Sequence, residues 1–214
     1  MTRREMASVI DHTLLKADAT RAQIEKLCRE AVDCGFHSVC VNLGRAEIAR
    51  QALEGSEVAL CVVIGFPLGA SGTKPLEAAR AVELGVDEID MVMDIGSAKD
   101  GSWDAVEDEI RAVREACPGK VLKVILETCL LTGEEIDRAC SAAAAAGADF
   151  VKTSTGFSTG GAKSEDVRRM KRNGLKVKAS GGIRTAADAE EMLRAGADRI
   201  GASAGVEILK SYSE

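Results

Sequence analysis

The chain has 214 residues, with 28 Lys and Arg against 34 Asp and Glu, a net charge of −6 and a pI near 5.2. That balance, with aromatic residues limited to four Phe, Trp103 and Tyr212, argues against nucleic acid or an anionic membrane as a partner. No apolar run approaches the roughly 20 residues that span a bilayer, and Met1-Thr2-Arg3-Arg4-Glu5 opens no apolar signal core, so the expectation is one cytosolic domain, residues 1–214.

Short β-branched runs alternate with amphipathic segments rich in Ala, Glu and Arg, the pattern of βα units and a parallel sheet. In chain order the predicted strands are Val9–Thr13, Ser38–Asn42, Val58–Gly65, Glu88–Asp94, Lys120–Thr128, Phe150–Thr155, Lys176–Ser180 and Arg199–Ser203. The predicted helices that follow them are Arg21–Asp33, Arg45–Leu53, Lys74–Leu84, Trp103–Ala116, Glu134–Ala146, Ser164–Lys171, Ala186–Ala195 and Gly205–Ser211. Eight such pairs predict an α/β fold of the (β/α)8 TIM-barrel type in a single domain. An open doubly wound sheet is the rival, but no Gly-x-Gly-x-x-Gly follows the first strand. A weak repeat supports the barrel: Gly35, Gly85, Gly147 and Gly196 each end a helix just before a strand, where a left-handed residue is needed.

Active sites of such barrels sit at the C-terminal ends of the strands. In Glu88-Ile89-Asp90-Met91-Val92-Met93-Asp94, alternation turns Ile89, Met91 and Met93 toward the helices and Asp90 inward. The same parity turns Lys152 inward in the sixth strand and Lys178 inward in the seventh. Burial and a neighbouring ammonium both favour the free amine of a Lys, the form that attacks a carbonyl. Asp90 then serves as a proton carrier. The competing reading is an interior salt-bridge cluster that only fills the barrel, and Glu88, Lys123, Glu127 and Lys176 are expected to belong to that kind of cluster, nearer the bottom or in the middle layers.

Gly181-Gly182-Ile183-Arg184 after the seventh strand and Gly201-Ala202-Ser203-Ala204-Gly205 after the eighth occupy the two positions where these barrels bind phosphate. Gly65-Phe66-Pro67-Leu68-Gly69 is a further loop at the same face. Thr153 and Thr155 stand beside Lys152 as candidates to bond substrate hydroxyls, with plain strand filling as the alternative. Cys40 is a candidate pocket-lining residue, an inert core thiol being the alternative. His12 could reach the site from the first strand but reads more simply as structural, as does His37. Tyr212 lies in a tail expected to be disordered. Seven cysteines without a Cys-x-x-Cys pair read as reduced thiols, and two histidines make a His-rich metal centre hard to build.

Phe150-Val151-Lys152-Thr153-Ser154-Thr155-Gly156-Phe157 together with Lys178-Ala179-Ser180-Gly181-Gly182-Ile183-Arg184 resembles the deoxyribose-phosphate aldolase family. Shorter blocks extend the resemblance along the chain: Ile10-Asp11-His12-Thr13-Leu14-Leu15, Val39-Cys40-Val41-Asn42, Ile64 to Gly69, Glu88 to Val92, Ile125-Leu126-Glu127-Thr128 and Arg199 to Gly205. The resemblance implies a class I aldolase, without metal or cofactor, that reversibly cleaves 2-deoxy-D-ribose 5-phosphate into D-glyceraldehyde 3-phosphate and acetaldehyde. It implies Lys152 as the Schiff-base nucleophile, Lys178 as the second lysine that lowers the Lys152 pKa, and Asp90 as the acid/base partner. It implies that Gly156, Gly181, Gly182, Gly201 and Ser203 hold the phosphate, and that the chain forms a homo-oligomer, dimer or tetramer. Two positions depart from the family pattern: Asn42-Leu43-Gly44-Arg45 lacks an expected Pro, and Asp94 stands where Asn is expected. Another Schiff-base aldolase and a non-catalytic phospho-ligand barrel are the alternatives.

Overall fold

The recurring Gly is the joint at which a helix turns back into a strand. In the computed structural model, which describes residues 1–212, Gly35, Gly85, Gly147 and Gly196 all have positive φ, from 68° to 109°, a region that penalises any residue carrying a Cβ. The residue after each Gly donates its N–H to a carbonyl five positions back, as Val86 does to Ala81 and Ala148 to Ala143, which closes the helix. The repeat then supplies an Asp. Asp87, Asp149 and Asp198 accept the backbone N–H of Leu60, Leu122 and Val177 at 2.8–2.9 Å, tying each new strand to the one before it. In the remaining copy His37 takes that place, and its Nε2 meets Glu88 Oε1 at 3.2 Å.

The strands are β1 (Ile10–Leu14), β2 (Ser38–Asn42), β3 (Ala59–Ile64), β4 (Glu88–Val92), β5 (Val121–Ile125), β6 (Phe150–Lys152), β7 (Lys176–Ser180) and β8 (Arg199–Ala202). Each pairs in parallel with the next, and β8 pairs with β1, so the barrel is closed. The helices are α1 (Arg3–Ala7), α2 (Arg21–Cys34), α3 (Ala46–Ala52), α4 (Lys74–Glu83), α5 (Ile95–Lys99), α6 (Trp103–Ala116), α7 (Gly133–Ala145), α8 (Ser164–Lys171), α9 (Ala186–Arg194) and α10 (Gly205–Leu209). Every predicted strand and helix is present.

Two helices were not expected, because five residues are too few to show a 3.6-residue period. A capping box between Thr2 and Glu5 starts α1. Asp94 starts α5: β4 stops at Val92, and the Asp94 carboxylate accepts Ser97 N at 3.1 Å and Ser97 Oγ at 2.8 Å. Asp94 is therefore a helix cap and not an inward strand residue. Similarly β6 ends at Lys152, three residues before its predicted end.

Outward strand residues such as Val62, Ile89, Met91 and Val124 pack under the helices in the main core. The barrel interior is divided. On the β2–β3 side it is apolar, with Cys40, Cys61 and Val63 against Leu15 and Phe66; elsewhere it holds ionised side chains. Tyr212, expected to be disordered, is held: its hydroxyl donates to Glu190 Oε1 at 2.6 Å and its ring packs on the core. Among the described residues no helix is long and apolar enough to cross a membrane.

Candidate active site

Strand period and register bring the three expected ionisable residues together. Lys152 and Lys178 are direct neighbours on β6 and β7, and Asp90 reaches them across the interior from β4. Asp90 Oδ2 accepts Lys152 Nζ at 2.7 Å and Lys178 Nζ at 2.8 Å, while its Oδ1 accepts Lys123 Nζ at 2.8 Å. All four side chains are buried. A second carboxylate, which sequence reasoning missed, stands beside them: Asp11 Oδ2 lies 2.5 Å from Lys178 Nζ. The parity of β1, where Asp11 opposes Ile10 and His12, is the signal that points it inward. His12 points outward, with Nε2 2.9 Å from Glu30 and its ring 5.0 Å from that of Phe36.

This geometry fixes the electrostatics. Burial opposes ionisation of Asp90, but the ammonium groups of Lys123, Lys152 and Lys178 outweigh it and hold the carboxyl well below the usual range. Burial likewise opposes the charge on Lys178, yet the carboxylates of Asp11 and Asp90 raise it well above an ordinary lysine. The expectation that burial and a neighbouring ammonium would lower an inward lysine is thus overturned for Lys178: two carboxylates at contact distance decide the sign. Lys178 is a firmly held ammonium.

Below this group Glu88 and Lys123 behave as the predicted interior pair, 2.6 Å apart, with Arg199 bridging Glu88 and Asp11. Two members of that expected set lie elsewhere. Lys176 is exposed at the start of β7, its Nζ 5.5 Å from the Phe150 ring centre. Glu127 sits beyond the C-terminal end of β5, at the mouth, where its carboxylate accepts Thr155 N at 3.3 Å and the Thr155 hydroxyl.

Lys152 opens onto a cavity of about 350 Å³ at the C-terminal face. Thr155, Gly156, Gly181, Gly182, Gly201 and Ser203 all line it, as expected, with Arg184 of the same predicted loop, and Lys16 adds a further positive charge. Gly201 has a second reason to be glycine: a Cβ there would stand 3.1 Å from Lys178 Cε and 2.9 Å from Ser180 Cβ. Cys40 does not line this cavity. It lies beneath, fully buried beside Cys61, because β2 places it one level below the mouth. Cys61 Sγ donates to Asp90 Oδ1 at 3.1 Å, and burial pushes the Cys61 thiol pKa well up. The Thr153 hydroxyl, offered as a substrate contact, donates to Ser180 O at 3.0 Å and accepts Ser180 N at 3.0 Å, so it knits β6 to β7. A larger cleft of about 1040 Å³ at the opposite end, between α1 and Tyr212, contains none of the buried ionisable residues.

Among the described residues, Cys40, Cys61 and Asp90 form the one His/Cys/Asp/Glu group close enough to share an ion, with donor atoms within 4.8 Å of one another. They do not fit a cation, because Asp90 already meets three ammonium groups. Cation chemistry here belongs to the lysines.

Residues 5–212 match the family model described as DeoC/LacD family aldolase. A protein of Finegoldia magna named deoxyribose-phosphate aldolase is 56% identical over 211 residues, covering 96% of this chain and 99% of its own length. One of the same name from a Geobacillus species is also 56% identical, covering 96% of this chain and 95% of its own. The solved deoxyribose phosphate aldolase of Aeropyrum pernix, described as tetrameric, superposes with a TM-score of 0.90 at 37% identity, covering 98% of this chain and 92% of that one.

Proposed function

The chain belongs to the DeoC/LacD family of aldolases, and we propose that it reversibly cleaves 2-deoxy-D-ribose 5-phosphate into D-glyceraldehyde 3-phosphate and acetaldehyde through a Schiff base on Lys152. The observation that carries this reading is the shared carboxylate oxygen: Asp90 Oδ2 contacts Lys152 Nζ and Lys178 Nζ at 2.7 and 2.8 Å, at the floor of a cavity rimmed by glycine loops. A salt-bridge cluster that merely filled the barrel would have no need of that opening.

In this scheme the amine form of Lys152 adds to C1 of the open-chain sugar. The resulting carbinolamine expels its hydroxyl as water, protonated from the Lys178 ammonium, and an iminium remains. The iminium draws the electron pair of the C2–C3 bond, so C2 becomes the enamine carbon and C3 the carbonyl carbon of glyceraldehyde 3-phosphate. The proton of the C3 hydroxyl passes to the Asp90–Lys178 pair, directly or through water, and returns to C2 of the enamine. Hydrolysis of the new iminium releases acetaldehyde and restores Lys152. Phosphate held by Gly156, Gly181, Gly182, Gly201 and Ser203, with Lys16 and Arg184 alongside, fixes the far end of the substrate, where binding energy is converted into alignment of C1 with Nζ. Cys40 borders this chemistry from below, filling space next to Asp90. We further propose that one domain, residues 1–214, carries the activity without metal or cofactor, in the cytoplasm, as a homo-oligomer.

The test is reduction with borohydride in the presence of acetaldehyde or the sugar phosphate, followed by peptide mapping. A reduced adduct on Lys152, absent from Lys152→Leu, is the expected result. Bound sugar phosphate with neither adduct nor cleavage would move the protein to the class of non-catalytic phosphate-binding barrels.

A further inference from the structure

Glu127 is the described non-glycine residue with positive φ, at 57°, and its side chain is 2% exposed. A left-handed backbone at such a residue is strained, and a buried carboxyl group needs partners. No Lys, Arg or His among the described residues forms an ion pair with it. Its partners lie instead on one stretch of the mouth: Thr155 N at 3.3 Å from both carboxylate oxygens, the Thr155 hydroxyl, and Cys129 Sγ at 3.9 Å.

The contact continues past Thr155. Thr155 Oγ1, with its proton given to Glu127, accepts the N–H of Phe157 at 3.0 Å. The two bonds clamp Gly156 between them, and Gly156 sits at φ 84°. Backbone bonds from Leu126 N to Lys152 O and from Thr128 N to Thr153 O, both 2.9 Å, carry the β5 side alongside β6 on either side of Glu127. The strained residue therefore holds the segment from Thr155 to Phe157, which lines the same cavity as Lys152. No contact places Glu127 itself on the ionic cluster around Asp90.

We infer that Glu127 is a positioning residue, which through Thr155 sets the Gly156 backbone to receive the phosphate end of the substrate and leaves the chemistry at Lys152 untouched. The inference rests on the proposed aldolase function. It assigns the Thr155 hydroxyl to the scaffold: its proton is committed to Glu127 and one acceptor position to Phe157, so what this loop presents to the substrate is chiefly backbone.

Steady-state kinetics of Glu127→Gln, Glu127→Ala and Thr155→Val test this with two substrates, 2-deoxyribose 5-phosphate and unphosphorylated 2-deoxyribose. Each variant is expected to raise KM for the phosphorylated sugar about tenfold, as for loss of one hydrogen bond to a charged group. The value of kcat/KM for unphosphorylated deoxyribose should stay within about twofold, and so should the rate of acetaldehyde trapping on Lys152. The Glu127→Gln, Thr155→Val double variant should be no worse than the worse single one, because both changes break one chain of contacts. Equal losses with both sugars, a fall in kcat or trapping rate, or additive single effects would overturn the assignment. So would unchanged KM in folded Thr155→Val, which retains Glu127 and keeps the question open to measurement even if the Glu127 variants fail to fold. The wild-type protein separates the two readings: if it neither traps acetaldehyde nor cleaves the sugar phosphate, the aldolase reading fails, and if it does both while the variants match it, only the role of Glu127 fails.

Discussion

Asp90→Asn keeps the shape of the side chain and removes the charge around which Lys123, Lys152 and Lys178 gather at 2.7–2.8 Å. Stranding a buried charge costs about 3–5 kcal/mol. Lys178 retains Asp11 at 2.5 Å and Lys123 retains Glu88 at 2.6 Å, so only Lys152 loses its sole carboxylate, and the lower end, about 3 kcal/mol, applies. In a chain of this size each kcal/mol moves Tm by about 2–4 °C, giving a drop of about 6–12 °C at pH 7. The pH dependence has a definite sign. Because the folded-state pKa of Asp90 is depressed, its stabilisation is fully present above the unfolded value near 4 and is lost as pH falls through the folded one. Urea unfolding of both proteins from pH 7 down to about 3 should therefore show a constant difference above about pH 5 that narrows on further acidification. Turnover should fall about 10²–10⁴-fold with loss of the proton carrier. A variant as stable as the wild type at pH 7, or a stability difference that widens in acid, would refute the account of Asp90 as the anionic centre of the cluster.

Gly201→Ala forces a Cβ to 3.1 Å from Lys178 Cε, and a lysine displaced by such a contact should lower kcat by about 10²-fold while Tm shifts by only a few degrees, measured by turnover and thermal melting. Asp149→Ala removes the acceptor for Leu122 N at 2.8 Å and for Arg114; it should cost about 1–3 kcal/mol in urea unfolding with turnover per folded molecule unchanged, and a loss of activity without loss of stability would contradict its purely architectural role. Lys178, whose pKa is raised by Asp11 and Asp90, contributes stability that is fully present below the unfolded lysine value near 10.4 and is lost only as pH rises through its higher folded value. The stability difference between the wild type and Lys178→Met should therefore be flat from pH 7 to 10, and a decline within that range would count against the raised pKa.

Period-2 alternation was sufficient to place Asp90, Lys152 and Lys178 inside, because a strand residue has only two faces and the apolar neighbours of each declare the outer one. The glycine loops were legible for a similar local reason, since position after a strand and lack of a Cβ are both sequence properties. What alternation cannot give is height along the barrel axis, and the errors follow from that. Cys40 has the inward parity of a lining residue yet lies a level too low, whereas Glu127, expected in the bottom or middle layers, stands beyond the end of β5 because the strand stops at Ile125 and a left-handed residue redirects the chain. The sign of the Lys178 shift was equally hidden. It depends on Asp11, which approaches from β1, six strands earlier in the chain, and only barrel closure between β8 and β1 brings it near.

The ionic half of the interior is better understood as a device for chemistry than as a source of stability, since buried ion pairs seldom exceed well-packed apolar residues of the same volume. Its composition supports this. The ion-paired cluster joins Lys123, Lys152, Lys178 and Arg199 to Asp11, Glu88 and Asp90, with His37 at its edge on Glu88, and Glu127 pairs with none of the basic groups. Lys123, Lys178 and Arg199 each meet two carboxylates; Lys152 meets one and faces the cavity. The arrangement that anchors Lys178 between two carboxylates thus leaves Lys152 the least tied of these basic groups, where the cluster meets the cavity.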